Sequence, residues 1–378
     1  MLTRHDIRRL RLHALGLSIA SMTSVEEVVT WHGALQAQDN ASGLWSLGRR
    51  LAQGADAAAA GQVARERVAE GFAARHAVRT WPMRGTLHLV PARDARWMLE
   101  LMGAKPLAGA ARRREYLGLT EVDAERAVEV LRETLTGREL SRAACVEALV
   151  EAGLPAHGQS SYHLLWFAAQ RGVTCVPARM DGEQTFALLD EWAPDQVSMD
   201  RDEALATIAL RYVRSHGPVS IKDCARWTGL GVRDCRAGIA AAGAVLREVT
   251  TDDGPMYVAS DSLEASDTDA VRAAIPPPPE WDVLPGFDEY MLGYGDRSAM
   301  VSAADFARVV PGNNGVFRAT VVRRGEVVGT WTTSKRARNM VVSVEPLRRL
   351  GARDRRDAEH AFTVYGTFVG RPLEVRWG

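Results

Sequence analysis

The stretch Gly217-Pro218-Val219-Ser220-Ile221-Lys222-Asp223-Cys224-Ala225-Arg226-Trp227-Thr228-Gly229-Leu230 reads as the front half of a helix-turn-helix. Ser220 can cap a helix over Ile221 to Trp227, because its hydroxyl accepts a free N–H of the first turn. Gly229 to Gly231 makes the turn, and Val232 to Ala242 is the next helix. Upstream, Asp202 to Ser215 has helical periodicity. Downstream, Val245 to Val249 and Met256 to Ala259 flank Asp252-Asp253-Gly254-Pro255, a hairpin turn. Three helices followed by a hairpin is the element order of a winged helix.

Working outward, the same order recurs. Glu121 to Leu135, Ser141 to Glu151 and Ser160 to Gln170 read as helices, and strands on either side of Asp181-Gly182-Glu183 follow them. Before these come residues 3–20, where Thr3 and Asp6 resemble a capping box. Thr23 to Leu35 and Ala55 to Glu70 continue the helical pattern. Ala77 to Pro82 and Gly85 to Val90 then form a hairpin around Met83-Arg84-Gly85. The units agree in element order, not in residue identity, so a tandem array is an inference from pattern. Ile275-Pro276-Pro277-Pro278-Pro279-Glu280 is a stiff linker. Beyond it, strands are expected at Phe317 to Arg323, Glu326 to Thr332, Met340 to Val344, Phe362 to Val369 and Glu374 to Trp377, with a tight turn at Arg324-Gly325. The expected fold is α+β. Winged helices occupy 1–119, 120–199 and 200–274, and a C-terminal β domain, a partly closed barrel or a sandwich, occupies 281–378.

A chain of 378 residues exceeds one ordinary domain. Its 46% hydrophobic and 25% charged content is that of a globular protein. No apolar run reaches the ~18 residues of a membrane span, and the charged start, Met1 to Arg11, lacks a signal core. These features point to the cytoplasm. The four cysteines are scattered without a CxxC pair, which indicates neither zinc nor a disulfide framework. Basic and acidic residues balance at 47 each, which argues against a protein that coats nucleic acid but leaves room for a local basic face. No cofactor or metal is expected, and the chain is expected to act as a monomer.

The chemistry centres on Leu35-Gln36-Ala37-Gln38-Asp39-Asn40. Gln36 and Gln38 are neutral amides one residue apart, able to hold a water or a base edge without carrying charge; they could equally cap a helix end. Asp39 suits a turn or cap position, or an auxiliary carboxylate. His88 alternates with Leu87 and Leu89 on an expected strand, and Arg84 sits at the turn before it. Either could meet a phosphate; His88 could also be a satisfied structural histidine and Arg84 a solvated wing tip. Trp45 and Trp81 suit a core better than a stacking platform. In the third unit the candidates facing DNA are Lys222, Arg226, Arg233 and Arg236. The alanine-rich second helix is poor at base readout, so backbone binding is the better expectation. Asp288, Glu289, Asp296 and Arg297 form a charged cluster, read as an Asp296–Arg297 ion-pair network that locks the β domain in place. Lys335, Arg336 and Arg338 begin a run of eight basic residues ending at Arg356 that could bind phosphates or remain a solvated face.

Three segments carry a resemblance. They are Leu35 to Gln38, Arg79-Thr80-Trp81-Pro82-Met83-Arg84-Gly85-Thr86-Leu87-His88 through Asp94, and Leu284-Pro285-Gly286-Phe287-Asp288-Glu289-Tyr290 through Ser298 with Asn314 to Phe317 and Val328 to Trp331. With these the chain resembles the bacterial family of winged-helix DNA glycosylases that includes AlkZ and YcaQ, and Gln36-Ala37-Gln38 matches the Gln-x-Gln pattern of the AlkZ branch. The resemblance implies tandem winged helices around a concave surface for double-stranded DNA. It also implies excision of bulky N7-alkylated purines, with Gln36 and Gln38 as catalytic residues and crosslink unhooking or self-resistance as the setting. An N7-alkylguanine is cationic, so its glycosidic bond is already weak. Two amide oxygens suffice to orient a water and to face the developing sugar cation. The alternative is a non-catalytic winged-helix DNA-binding protein or regulator, or a family member that has lost activity on DNA.

Overall fold

The computed structural model describes residues 1–378 except 20, 53–55, 261–274 and 314. The expected helix start at Ala55, the end of the 200–274 unit and Asn314 therefore lie outside the described residues. The helices are α1 Arg4–Ala14, α2 Val25–His32, α3 Asn40–Leu51, α4 Ala57–Ala73, α5 Ala95–Met102, α6 Ala104–Ala108, α7 Ala110–Tyr116, α8 Glu121–Leu135, α9 Arg142–Glu151, α10 Gly158–Gln170, α11 Leu189–Trp192, α12 Arg201–His216, α13 Ile221–Thr228, α14 Val232–Ala241, α15 Glu289–Leu292, α16 Ala303–Val309 and α17 Ala352–Val369. The strands are β1 Leu35–Gln36, β2 Ala77–Met83, β3 Thr86–Pro91, β4 Leu140–Ser141, β5 Thr174–Pro177, β6 Thr185–Leu188, β7 Leu246–Thr251, β8 Gly254–Ala259, β9 Trp281–Leu284, β10 Ala319–Arg323, β11 Glu326–Lys335, β12 Met340–Pro346 and β13 Leu373–Trp377.

Local signals place many of these boundaries. Thr3 and Asp6 form the capping box of α1, and Ser220 and Asp223 that of α13. The second expected helix stops early: Gly33 takes φ +77, which releases Leu35 and Gln36 into a strand. α13 ends at Gly229 in the left-handed region, then α14 and the β7–β8 hairpin follow. α14 lies close against α12. A Cβ on Gly238 would sit 2.4 Å from the Leu205 carbonyl oxygen. Alanine has the better helix propensity by ~1 kcal/mol, yet Gly238→Ala is expected to cost ~1–3 kcal/mol through overpacking. A urea midpoint that rises in this variant would contradict the close approach.

The hairpins of the first two units are not separate. They join in one antiparallel sheet of order β1-β3-β2-β5-β6-β4, in which Val78 and Arg79 of β2 pair with Pro177 and Val176 of β5. Helix α1 packs with the third unit: Ile7 and Leu12 share a core with Tyr212, Val219 and Trp227, and Leu2 bridges to Thr251.

The C-terminal part is neither a closed barrel nor a sandwich. It is an open sheet, β13-β12-β11-β10-β9, with α17 against one face. The expected strand Phe362 to Val369 is the second half of α17. Its aromatic and β-branched content suits a strand by propensity, but Ala358, Phe362, Tyr365 and Phe368 recur at helical spacing and are buried. Tertiary packing decides: Phe362 and Tyr365 meet Trp331, and Phe368 meets Trp45. α17 crosses over so that β12 and β13 pair in parallel, as such a connection requires. Arg324 and Gly325, both at positive φ, make the tight β10–β11 turn.

Candidate active site

β1 is an edge strand, and its register sets Gln36 opposite His88, which in turn sits opposite Thr80 on β2. Directly opposed residues share a face, so the three form a polar row across the sheet. Gln36 is buried, and its Oε1 accepts no hydrogen bond from the protein. Thr80 Oγ1 is buried and unpartnered as well. A buried acceptor without a donor costs roughly 1–3 kcal/mol, so this row is a place where the fold gives up stability. After Gln36 the backbone leaves the strand: Ala37 N–H donates to the Leu87 carbonyl at 2.9 Å, and Gln38 is exposed. Asp39 caps α3, accepting from the Ser42 N–H at 2.9 Å. Trp45 and Trp81 are core residues, donating to the Val283 carbonyl at 2.8 Å and to Tyr162 Oη at 3.3 Å.

His88 and Arg84 both make contacts within the protein. His88 is fully buried, with Nδ1 2.7 Å from the Thr86 carbonyl and Nε2 3.4 Å from Arg84. Burial first, then the Arg84 charge, lowers its pKa to about 3, so the ring is neutral. Arg84 takes φ +55 at the β2–β3 turn and donates to the carbonyls of Trp227 at 2.6 Å and Arg226 at 3.3 Å. It caps α13, where the helix dipole favours a cation. The Gln strand is thus tied to the helix-turn-helix through His88 and Arg84. The acid response follows. Between about 6.5 and about 3 the unfolded chain binds a proton at this site that the folded chain refuses. The contribution is complete above pH ~6.5 and is lost as pH falls toward 3. His88→Asn is expected to show a shallower fall of urea midpoint with acidification than the wild type.

Lys222, Arg226, Arg233 and Arg236 are exposed on α13 and α14. Lys335, Arg336 and Arg338 are exposed at the β11–β12 turn. Lys335 pairs with Met340, whose Sδ lies 3.9 Å from Tyr365 Oη. The Tyr365 hydroxyl is pushed up to about 12 by burial and by the charge of Asp39. Arg348, Arg353 and Arg355 are drawn off to Glu326, Asp357 and the Trp377 ring.

The charged cluster works differently from the expectation. Asp288 and Glu289 do the locking. Asp288 accepts from Arg50 at 2.9 and 3.2 Å, from Ser46 and from the Tyr290 N–H. Burial alone would raise its carboxyl; Arg50 overrides this and holds it below the usual range. Glu289 accepts from Trp227 at 2.9 Å and meets His216 at 3.2 Å. Arg297 instead donates to the Met291 and Gly295 carbonyls and lies over the Phe317 ring, while Asp296 accepts from the Ser298 N–H.

Sequence reasoning missed the surroundings of Gln38. It lines a cavity of about 210 Å³ with Trp81, Tyr162, Trp166, Phe186 and Arg142. The spacing of Tyr162 and Trp166, one turn apart on α10, was the available signal. Among the described residues, no group of three or more His, Cys, Asp or Glu is arranged to hold a metal ion, and no helix is long and apolar enough to cross a membrane.

A family model for DNA glycosylase AlkZ-like proteins matches residues 29–368. The interstrand DNA cross-link repair glycosylase of Streptomyces sahachiroi is 29% identical over 282 residues, 71% of this chain and 73% of that protein. The solved structure of the Streptomyces sahachiroi DNA glycosylase AlkZ aligns at a TM-score of 0.77 and 24% identity, over 100% of each chain; at that identity the likeness bears on the fold. The matched region takes in the whole six-stranded sheet and every strand of the five-stranded sheet except β13. The chain belongs to the AlkZ-like DNA glycosylase family.

Proposed function

We propose that this chain is a monofunctional DNA glycosylase that hydrolyses the N-glycosidic bond of bulky N7-alkylated purines in double-stranded DNA. Unhooking of interstrand crosslinks belongs to the same reading, in repair or in self-resistance to a DNA-alkylating natural product, in the cytoplasm at the nucleoid. The protein works as a monomer with three winged-helix units, 1–119, 120–199 and 200–274, and the C-terminal unit 281–378. One observation carries the reading: the buried amide oxygen of Gln36 has no donor and stands two residues from the exposed amide of Gln38.

The chemistry follows from the leaving group. An N7-alkylguanine departs as a neutral base, so no strong acid is needed. The sugar becomes cationic as the bond lengthens, and an amide oxygen in a water-poor site stabilises that charge more than it stabilises the neutral ground state. Gln38 orients the attacking water, and Gln36 Oε1 faces the developing cation. The water's oxygen bonds the anomeric carbon, the C–N bond breaks, and the proton leaves to solvent. Lys222, Arg226, Arg233, Arg236, Lys335, Arg336 and Arg338 hold phosphates without reading sequence.

The test is base release from a duplex with one N7-alkylguanine. Strand cleavage only after mild alkali is the expected result. Cleavage without alkali would overturn the monofunctional assignment. Retained DNA binding with no release, from this duplex or from a crosslinked one, would overturn the glycosylase reading.

A further inference from the structure

The cavity beside Gln38 continues into a wider one. A groove of about 600 Å³ runs between α7 and α10, lined by Arg113, Arg142, Gln159, Tyr162, His163 and Trp166. Arg142, Tyr162 and Trp166 line both. Tyr162 is 44% exposed, a high value for a large aromatic residue. Its hydroxyl accepts from Trp81 Nε1 at 3.3 Å, which fixes the ring, and the Arg142 guanidinium lies 5.7 Å from its centroid. His163 is 5% exposed and its Nε2 lies buried at the groove without a partner. Burial, then Arg114 and Arg113, lowers its pKa to about 4, so it presents a neutral ring nitrogen. No carboxylate lines either cavity among the described residues.

These features fit one ligand chemistry: a flat aromatic ring with a polar edge, joined to phosphates. We propose that the α7–α10 groove holds one unstacked nucleotide flanking the lesion, with Tyr162 stacked on its base, His163 Nε2 at the base edge, and Arg113 and Arg142 on its phosphates. An exposed aromatic in a groove that two arginines line is the arrangement that holds a strand without sequence preference. The placement beside Gln38 adds purpose. A nucleotide gripped there pins the backbone next to the scissile bond and removes the stacking that would otherwise hold the adduct in the helix. The inference rests on the reading above that the chain acts on DNA. Tyr162 and Arg142 act as positioning residues.

The test compares wild type with Tyr162→Ala, Tyr162→Phe and Arg142→Gln for Kd and single-turnover excision. It uses two duplexes, one with N7-methylguanine and one with a bulky aromatic N7 adduct. Tyr162→Ala is expected to weaken binding of both by about 5- to 150-fold, ~1–3 kcal/mol for one stacked base. Tyr162→Phe is expected to retain most of the affinity. Arg142→Gln is expected to lower the slope of log Kd against log salt by about 1. Tyr162 and Arg142 are both exposed, so melting temperatures are expected to stay at the wild-type value. Excision by wild type with unchanged Kd in Tyr162→Ala overturns this inference and leaves the glycosylase reading standing. A loss confined to the bulky duplex assigns the groove to the adduct body and overturns the nucleotide assignment. Weaker binding by Tyr162→Ala when wild type excises neither lesion supports the groove and removes the glycosylase reading.

Discussion

Asp288→Ala is expected to lower stability by about 3–5 kcal/mol, the largest loss from any single side chain in the lock. The reason is what it leaves behind. Arg50 is fully buried, and its other contacts are the Ser46 carbonyl and hydroxyl and His32 Nε2. His32 offers no negative charge to replace the carboxylate; burial and Arg50 itself hold it well below its ordinary pKa, so its ring is neutral. Removing the carboxylate therefore strands a guanidinium away from water. The same change frees the Tyr290 N–H at the start of α15 and the Ser46 hydroxyl on α3. The double variant Arg50→Met/Asp288→Leu removes both charges and is expected to recover most of the loss, because a well-packed apolar pair often matches a buried ion pair. Urea midpoints of the two variants and wild type decide this. A shift in Asp288→Ala no larger than the ~0.5 kcal/mol of an ordinary surface substitution would sink the argument. The pair also has a pH signature. The carboxyl is held low in the folded chain, so its contribution is present above pH ~4 and fades as pH falls through the folded value.

How far the sequence predicts this molecule depends on where the information sits. The third helical unit was legible because its signals are local: a capping box at Ser220 and Asp223, a left-handed glycine at 229 and a hairpin after it. The tight turn at Arg324-Gly325 was legible for the same reason. α17 was not, since Phe362 to Val369 has the composition of a strand and becomes a helix only because Trp45 and Trp331 supply a surface with helical spacing. The shared sheet of the first two units was invisible because β2 and β5 are nearly a hundred residues apart and nothing local announces their pairing. At the site, the Gln pair stood out, but the roles of its neighbours did not. Alternation placed His88 away from the face of Leu87 and Leu89, but nothing local shows that its ring is fully buried and held between the Thr86 carbonyl and Arg84. Arg84 looked like a wing tip because sequence shows the turn and hides the α13 carbonyls against it. The acidic pair Asp288–Glu289 was seen as charged, but its partners lie on α3, α12 and α13, far away in sequence.

Gln36→Ala and Gln38→Ala, tested singly and together, are expected to lower single-turnover base release by roughly 100-fold or more, the scale of removing one preorganised polar group from a site of developing charge. Affinity for the intact lesion duplex is expected to change little, because amide oxygens facing a sugar cation gain their interaction as the bond breaks. The two residues separate a catalytic role from a structural one. Gln38 is exposed, so its truncation should leave the denaturation midpoint in place. Gln36 is buried with an unpartnered oxygen, so Gln36→Ala removes an unmet acceptor and a modest apolar volume together. These effects oppose each other, and the midpoint is expected to stay within ~1 kcal/mol of wild type. A Gln36 that served only to hold β1 against β3 would behave in the opposite way, with the midpoint falling and excision at low temperature surviving. Equal release by wild type and the double variant would keep the enzyme and move its chemistry elsewhere, with Thr80 Oγ1, the other unpartnered oxygen in the same row, as the next group to replace.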